Sequence, residues 1–245
     1  MKQTVLTVIE NEPIAKSVYR MTLSGDLSDV TRPGQFVNLK LDGFYLRRPI
    51  SVCDKAGDTL ILIYKTVGDG TRALAGYEKG KEIDCLVGLG NGYDVTRSGD
   101  APLLVGGGVG VPPLYWLART LISEGKRVTA ILGFNTKDEV FYENEFRALG
   151  ANVIVTTVDG SCGQKGFVTN ALAGLDFTYV YTCGPEPMLR ALYRATKTEG
   201  QYSFERRMGC GFGACMGCTC KTIAGNKRIC REGPVLERKE ILWED

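Results

Sequence analysis

Along the first hundred residues, apolar positions come in short, β-branched runs. VLTVIENEPIA, SVYRMTLSG, GQFVNLKL, PISVCD and TLILIYKTVG are separated by Gly, Pro and Asp. That spacing predicts an antiparallel barrel or sandwich. One short helix is expected from Thr71 to Tyr77, with Thr71 as its cap and ALAGY lacking a strand pattern.

Near Gly99 the pattern changes. APLLVGGG is a continuous apolar run ending in glycines, and PPLYWLARTLISEG has helical spacing at Leu114, Leu117 and Leu121. RVTAILGF, NVIVTTVD and TYVYTCGP read as further buried strands, and DEVFYENEFRALG and EPMLRALYRATKTEG as helices. Strands alternating with helices predict a parallel, doubly wound sheet. From Gln201 the pattern breaks into a tail rich in Cys and Gly. The expected organisation is a β-barrel over 1–98, an α/β domain over 99–200 and a small tail domain over 201–245.

Charge narrows the function classes only a little. Thirty Lys and Arg against 28 Asp and Glu leave a formal charge of +2, too small to imply nucleic-acid or membrane binding. No apolar run approaches the roughly 20 residues of a membrane helix. The first twenty residues lack the apolar core and cleavage site of a secretory leader, so a cytoplasmic location is expected. Two features change the picture more. The chain has no histidine, which removes the commonest general base and metal ligand together. Of its nine cysteines, five (Cys210, Cys215, Cys218, Cys220 and Cys230) fall within the tail, and clustering of that kind points to metal rather than disulfides.

Cys210-x4-Cys215-x2-Cys218 has the spacing of a plant-type [2Fe–2S] site, with Cys230 as fourth ligand. Three thiolates converging from one loop require a tight curl, which Gly209, Gly211, Gly213 and Gly217 permit. A structural zinc site with four thiolates is the competing reading, and inert buried cysteines a weaker one. Cys220 is a spare that could replace Cys218 or Cys230. Only 11 residues separate Cys218 from Cys230, shorter than in most plant-type ferredoxins.

Gly106, Gly107, Gly108 and Gly110 lie between an apolar strand and a helix, where backbone N–H groups suit a pyrophosphate. The same turn also fits a junction that is Gly-rich only for packing. Cys183-Gly184-Pro185 ends a later strand and either faces the same ligand edge or is simply a turn. In the barrel, Arg48-Pro49-Ile50-Ser51 opens a strand, and Gly68-Asp69-Gly70-Thr71 leads into the short helix. An arginine and a helix N-terminus together suit a second pyrophosphate. RRPIS alone reads equally well as a basic strand on a solvated face.

RPIS, GDGT, LGNGY (Leu89 to Tyr93), GGGVGVPP and CGPEPM occur here in one order. That order resembles the ferredoxin–NADP reductase superfamily, and the tail ERRMGCGFGACMGCTC is similar to that of the electron-transfer subunits of type B dihydroorotate dehydrogenase. The resemblance spans about Thr7 to Glu232. It implies FAD on the barrel, with Arg48 at the pyrophosphate, Pro49, Ile50 and Ser51 along the cofactor (Ser51 near the reacting flavin ring), and Ile63, Tyr64, Lys65, Gly70 and Thr71 completing the site. It implies NAD(H) at Gly106, Gly107, Gly108, Gly110, Cys183 and Gly184, with Cys183 at the reactive carbon, and a cluster held by Cys210, Cys215, Cys218 and Cys230. NADH is expected over NADPH because Asp159 follows the third strand of the α/β domain, where a carboxylate would repel a 2′-phosphate; Lys165 lies close by. The implied partner is an FMN-containing dihydroorotate dehydrogenase catalytic subunit, in a heterotetramer of two subunit types. A reductase subunit of a ferredoxin- or sulfide-linked oxidoreductase and a non-enzymatic zinc-binding module are the alternatives.

Overall fold

The computed structural model describes residues 1–243; the expected tail domain runs to Asp245, and its last two residues lie outside the described ones. The N-terminal part is a barrel of β1 (Lys2–Ala15), β2 (Val18–Gly25), β3 (Phe36–Leu39), β4 (Arg48–Ala56), β5 (Thr59–Lys65) and β6 (Glu82–Leu89), with α1 (Asp69–Ala75) between the last two. Its strand order is β1-β2-β5-β4-β3-β6, closed where β1 pairs with β6. Every pair is antiparallel. Alternate residues point inward: Leu6 and Val8, Leu60 and Leu62, and Ile83, Cys85 and Val87 are all essentially inaccessible.

The sixth strand was not among the five runs expected from the sequence. EIDCLVGL carries its apolar residues at every second position, but two acidic side chains break the run. Closure requires this strand, and closure leaves no edge exposed. The short helix also differs in detail. Gly68 is its cap and Thr71 lies one turn in, its Oγ1 reaching back to accept the N–H groups of Val67 (3.0 Å) and Gly68 (3.2 Å).

The α/β part contains β7 (Pro102–Gly107), α2 (Pro113–Ser123), β8 (Thr129–Phe134), α3 (Glu143–Ala148), β9 (Asn152–Thr157), β10 (Gln164–Lys165), β11 (Tyr179–Cys183), α4 (Glu186–Ala195) and β12 (Gly200–Ser203). The sheet order is β10-β9-β8-β7-β11-β12, parallel throughout. Chain order therefore reverses between β7 and β11, the switch point at whose carboxyl edge ligands bind in such sheets. The helix expected over DEVFYENEFRALG is split. Lys137–Glu139 forms a 3₁₀ turn, and Tyr142 takes a left-handed φ of 64° before α3 begins. That conformation costs about 1–2 kcal/mol, but it lets the adjacent Phe141 and Tyr142 both be buried, which offsets it.

The tail forms a hairpin of β13 (Thr219–Thr222) and β14 (Gly225–Arg228), then returns as β15 (Val235–Glu237), antiparallel to β12 at the sheet edge. The expected break at 200/201 thus falls inside β12. Asn91, in the LGNGY segment, pins the return: its Nδ2 donates to the Val235 carbonyl (2.7 Å) and its Oδ1 accepts from the Val235 N–H (3.1 Å). Among the described residues no helix is long and apolar enough to cross a membrane.

Candidate functional site

The glycine turn lies at the switch point. Cys183, the last residue of β11, stands opposite Gly106 in register. A Cβ on Gly110 would run into the Cys183 carbonyl, and one on Gly106 would sit 2.9 Å from the Val111 Cα. Glycine at these positions is therefore what lets the turn close onto the Cys183-Gly184 edge. Gly108 takes a left-handed φ of 53°. Tyr93 buttresses the junction from behind, its hydroxyl donating to the Thr182 carbonyl (3.0 Å). Burial pushes the Cys183 thiol up to about 12, with Ser203 opposing. A thiol so shifted is held in its neutral form.

On the same edge, after β9, the Asp159 carboxylate accepts from the hydroxyl (2.6 Å) and N–H (3.0 Å) of Ser161. These bonds lower its pKa and keep it charged. Beyond the ends of β11 and β12 lies a cavity of about 350 Å³ lined by Gly184, Pro185, Glu186, Leu189 and Phe204 to Arg207. An Arg206–Glu186 ion pair (2.6 Å) borders it. Nothing in the local pattern of SFERR marks this cavity, because Arg206 meets Glu186 only once β11 and β12 are paired.

In the barrel, the Arg48 guanidinium lies over the Phe44 ring (4.9 Å to its centre) and donates to the Leu46 carbonyl. Gly70, in the first turn of α1, abuts it so closely that a Cβ there would strike the guanidinium. Arg48 and the Gly70-Thr71 segment are thus brought together. Pro49, Ile50 and Ser51 follow along β4, opposite Asn38, Val37 and Phe36 of β3. Ile63 packs against the core of the α/β part. The side chains of its neighbours are committed elsewhere: Tyr64 points into the barrel and donates to Asn11 Oδ1 (2.9 Å), and Lys65 ion-pairs with Glu139 (2.8 Å).

The tail cysteines form two linked pairs. Cys210 Sγ accepts the N–H groups of Ala214 (3.3 Å) and Cys215 (3.4 Å), while Cys215 Sγ accepts those of Cys210 (3.5 Å) and Gly217 (3.4 Å). Cys218 Sγ accepts the Cys230 N–H (3.4 Å). Positive φ at Gly211 (78°), Gly213 (96°) and Met216 (61°) gives the loop its curl. Burial opposes ionisation of Cys210, but N–H donors from Cys215, Phe212 and Ala214 outweigh it and bring the thiol down to about 6. In the buried pair, burial and then the Cys218 sulfur push Cys230 up to about 12.

Among the described residues no three Cys, Asp or Glu side chains close on a single-ion position. Four thiols in two pairs, with N–H groups aimed at sulfur, are a donor set that fits a [2Fe–2S] cluster, which takes two protein ligands at each iron. Cys220 sits in β13 opposite Lys227, half-buried against the apolar core.

Two residues outside the cysteine pattern hold the loop. Arg228 donates to the Gly213 carbonyl (2.7 Å) and pairs with Glu232. Asn38 Nδ2 donates to the Cys210 carbonyl (3.2 Å). Arg228 acts within the tail, across 15 positions, whereas nothing in the local sequence marks Asn38, which meets Cys210 from a distant segment.

Residues 104–194 match the family model of the oxidoreductase NAD-binding domain, and residues 205–242 match the iron–sulfur cluster binding domain of dihydroorotate dehydrogenase B. Among solved structures the chain is similar to an NADH-dependent reduced ferredoxin-NADP oxidoreductase, with a TM-score of 0.88 and 30% identity, covering 98% of this chain and 90% of that one. Its likeness to an Amycolatopsis cytochrome P450 reductase, at a TM-score of 0.69 and 23% identity over 79% of this chain and 65% of that one, shows the fold alone. The dihydroorotate dehydrogenase B (NAD(+)), electron transfer subunit, of Geobacillus sp. (strain WCH70) is 45% identical over 256 residues, 99% of each chain. The protein of the same description from Fusobacterium nucleatum subsp. nucleatum is 47% identical over 261 residues, the whole of both. With barrel, switch-point turn and cysteine loop all falling within those full-length alignments, the chain belongs to the family of dihydroorotate dehydrogenase B (NAD(+)) electron transfer subunits.

Proposed function

We propose that this chain carries electrons from NADH through FAD and a [2Fe–2S] cluster to the FMN-containing catalytic subunit of dihydroorotate dehydrogenase, in cytoplasmic pyrimidine biosynthesis and within a heterotetramer of the two subunit types. The observation that supports it most is the adjacency of the cysteine loop and the RPIS strand. The Cys210 carbonyl is bonded to Asn38 of β3, and Asn38 stands opposite Pro49 of β4. Facing residues of paired strands are about 5 Å apart, so a flavin along Arg48 to Ser51 would have a cluster within one strand of it.

Bound there, the cofactors would supply the redox chemistry, hydride transfer between nicotinamide and flavin and single-electron transfer between flavin and cluster. The chain supplies binding and position. Arg48, with the backbone of Gly70 and Thr71, would hold the FAD pyrophosphate; Pro49 and Ile50 would line the cofactor, and Ser51, with the backbone of Ile63, Tyr64 and Lys65, would serve the flavin ring. Gly106, Gly107, Gly108 and Gly110 would offer N–H groups to the dinucleotide, and Cys183 with Gly184 would position the nicotinamide. Hydride transfer asks for no protein acid or base, which suits a chain without histidine. The charged Asp159 favours a ribose hydroxyl over a 2′-phosphate. Cys210, Cys215, Cys218 and Cys230 ligate the cluster.

A reductase subunit serving a ferredoxin- or sulfide-linked enzyme is the second reading, favoured by the 30% identity to the ferredoxin-NADP oxidoreductase. The test is anaerobic purification of the chain alone and with co-purifying partners. Flavin and iron–sulfur absorption bands, NADH oxidation with artificial acceptors, and dihydroorotate turnover only in the presence of the partner are expected. Zinc in place of iron, or no yellow cofactor, refutes the reading; a ferredoxin-linked partner selects the second.

A further inference from the structure

Asn38 is 1% exposed, in the middle of β3, with its side chain outside the barrel where the cysteine loop covers it. Barrel strands usually place apolar residues at sites so thoroughly dried, since a buried polar group must be satisfied. Half of this amide is satisfied. Nδ2 donates to the Cys210 carbonyl (3.2 Å), an orientation dictated by chemistry because only the N–H₂ end can face a carbonyl. Among the described residues the Oδ1 atom has no hydrogen-bond partner at all. Gly211 is pressed against the same amide, and a Cβ there would collide with Nδ2. The Asn38 main chain is fixed independently: it stands opposite Pro49 of β4 and Leu86 of β6, and the Arg47 guanidinium reaches its carbonyl (3.4 Å) while pairing with Asp84. The amide therefore sits on a rigid strand and grips a loop that has few ladder bonds of its own.

We propose that Asn38 is a positioning residue for the electron path, clamping the cluster loop at Cys210 against the strand pair that carries the flavin-binding Arg48 to Ser51. The inference rests on the function proposed above and extends it to a residue outside the cofactor-ligating set. The unpaired Oδ1 distinguishes this role from ordinary packing. An apolar side chain of similar size would remove the unsatisfied Oδ1 from the barrel wall and fill the same space, leaving the Cys210 carbonyl without its donor. What it would lose is the grip on Cys210.

The test compares wild-type holoprotein with Asn38→Leu. Thermal unfolding is expected to be unchanged or slightly raised. Hydrogen exchange at the amides of 210–213 is expected to accelerate about tenfold, the factor that corresponds to about 1.4 kcal/mol. On rapid mixing with NADH, flavin reduction is expected at the wild-type rate and the following cluster reduction about tenfold slower, with a broadened electron paramagnetic resonance signal from the reduced cluster. Asn38→Ala serves if the leucine variant does not accumulate with both cofactors, and the same split between the two reduction rates is expected. Equal loss of stability, flavin reduction and cluster reduction would make Asn38 merely structural and overturn the proposal, as would an unchanged exchange rate and cluster signal. Wild-type protein without iron or flavin would instead overturn the functional reading, so the two failures are distinct.

Discussion

The barrel and the cysteine tail are organised by opposite means. In the barrel all six strands pair on both sides, and the interior is filled by aliphatic side chains with essentially no exposure, Leu6, Met21, Leu60 and Leu62 among them. In the tail, residues 209–218 form no ladder. They curl through glycines and Met216 at positive φ and spend their N–H groups on sulfur, with Cys215, Phe212 and Met216 exposed. An apolar core holds its shape with or without a cofactor, because water drives it. A loop whose donors point at thiolates owes its order to whatever those thiolates bind. The contrast teaches that the barrel strands are a fixed platform and the cysteine loop a conditional attachment to it.

The largest expected effect breaks that attachment. Stripping iron with a chelator, or Cys210→Ser, should abolish exchange protection over 209–217 while leaving the barrel amides protected and the flavin bound; hydrogen exchange followed by mass spectrometry reads both regions at once. A tail as protected without iron as with it would erase the contrast. The reverse experiment is Leu62→Ala, at a fully buried barrel position. It should cost about 2–5 kcal/mol in global unfolding and leave the iron content per folded chain unchanged, as denaturant titration with iron analysis would show.

The smallest effect concerns the tie between barrel and sheet. Glu139 has its pKa lowered from 4.5, first by the hydrogen bond from Lys65, against which burial works, and then by bonds from Asn135. A carboxylate with a depressed folded pKa adds stability above its unfolded value of about 4.5, and that stability is lost as pH falls through the folded value. Lys65→Met should therefore cost about 0.5 kcal/mol near neutral pH, as expected for a partly exposed pair, and nothing in acid below both values. Unfolding midpoints across that range measure it, and neither iron content nor tail protection should change.

Much of this was legible in the chain itself, for reasons that are local. Period-two burial in β1, β2 and β5, the apolar runs of β7, β8, β9 and β11, and the spacing of Cys210, Cys215 and Cys218 all express constraints acting over a few residues. β6 escaped because Glu82 and Asp84 interrupt its apolar positions on the outward face, and the split before α3 because two adjacent rings are buried there. Thr71 read as a cap because Thr is a good one; its actual place one turn in uses the same hydroxyl in the opposite direction.

The sequence by itself determined the kinds of element, their order and the chemistry the chain can host: thiolates for a cluster, glycine turns for dinucleotides, and no histidine for acid–base work. Only the tertiary structure decided which segments meet. It turned Tyr64 inward, gave Lys65 to Glu139, set Gly110 against Cys183, and laid the Cys210 carbonyl on Asn38, 172 positions away along the chain. Periodicity and motif spacing report on neighbours along the backbone, whereas an electron path depends on neighbours in space, and those are fixed when the barrel closes and the tail returns to its wall.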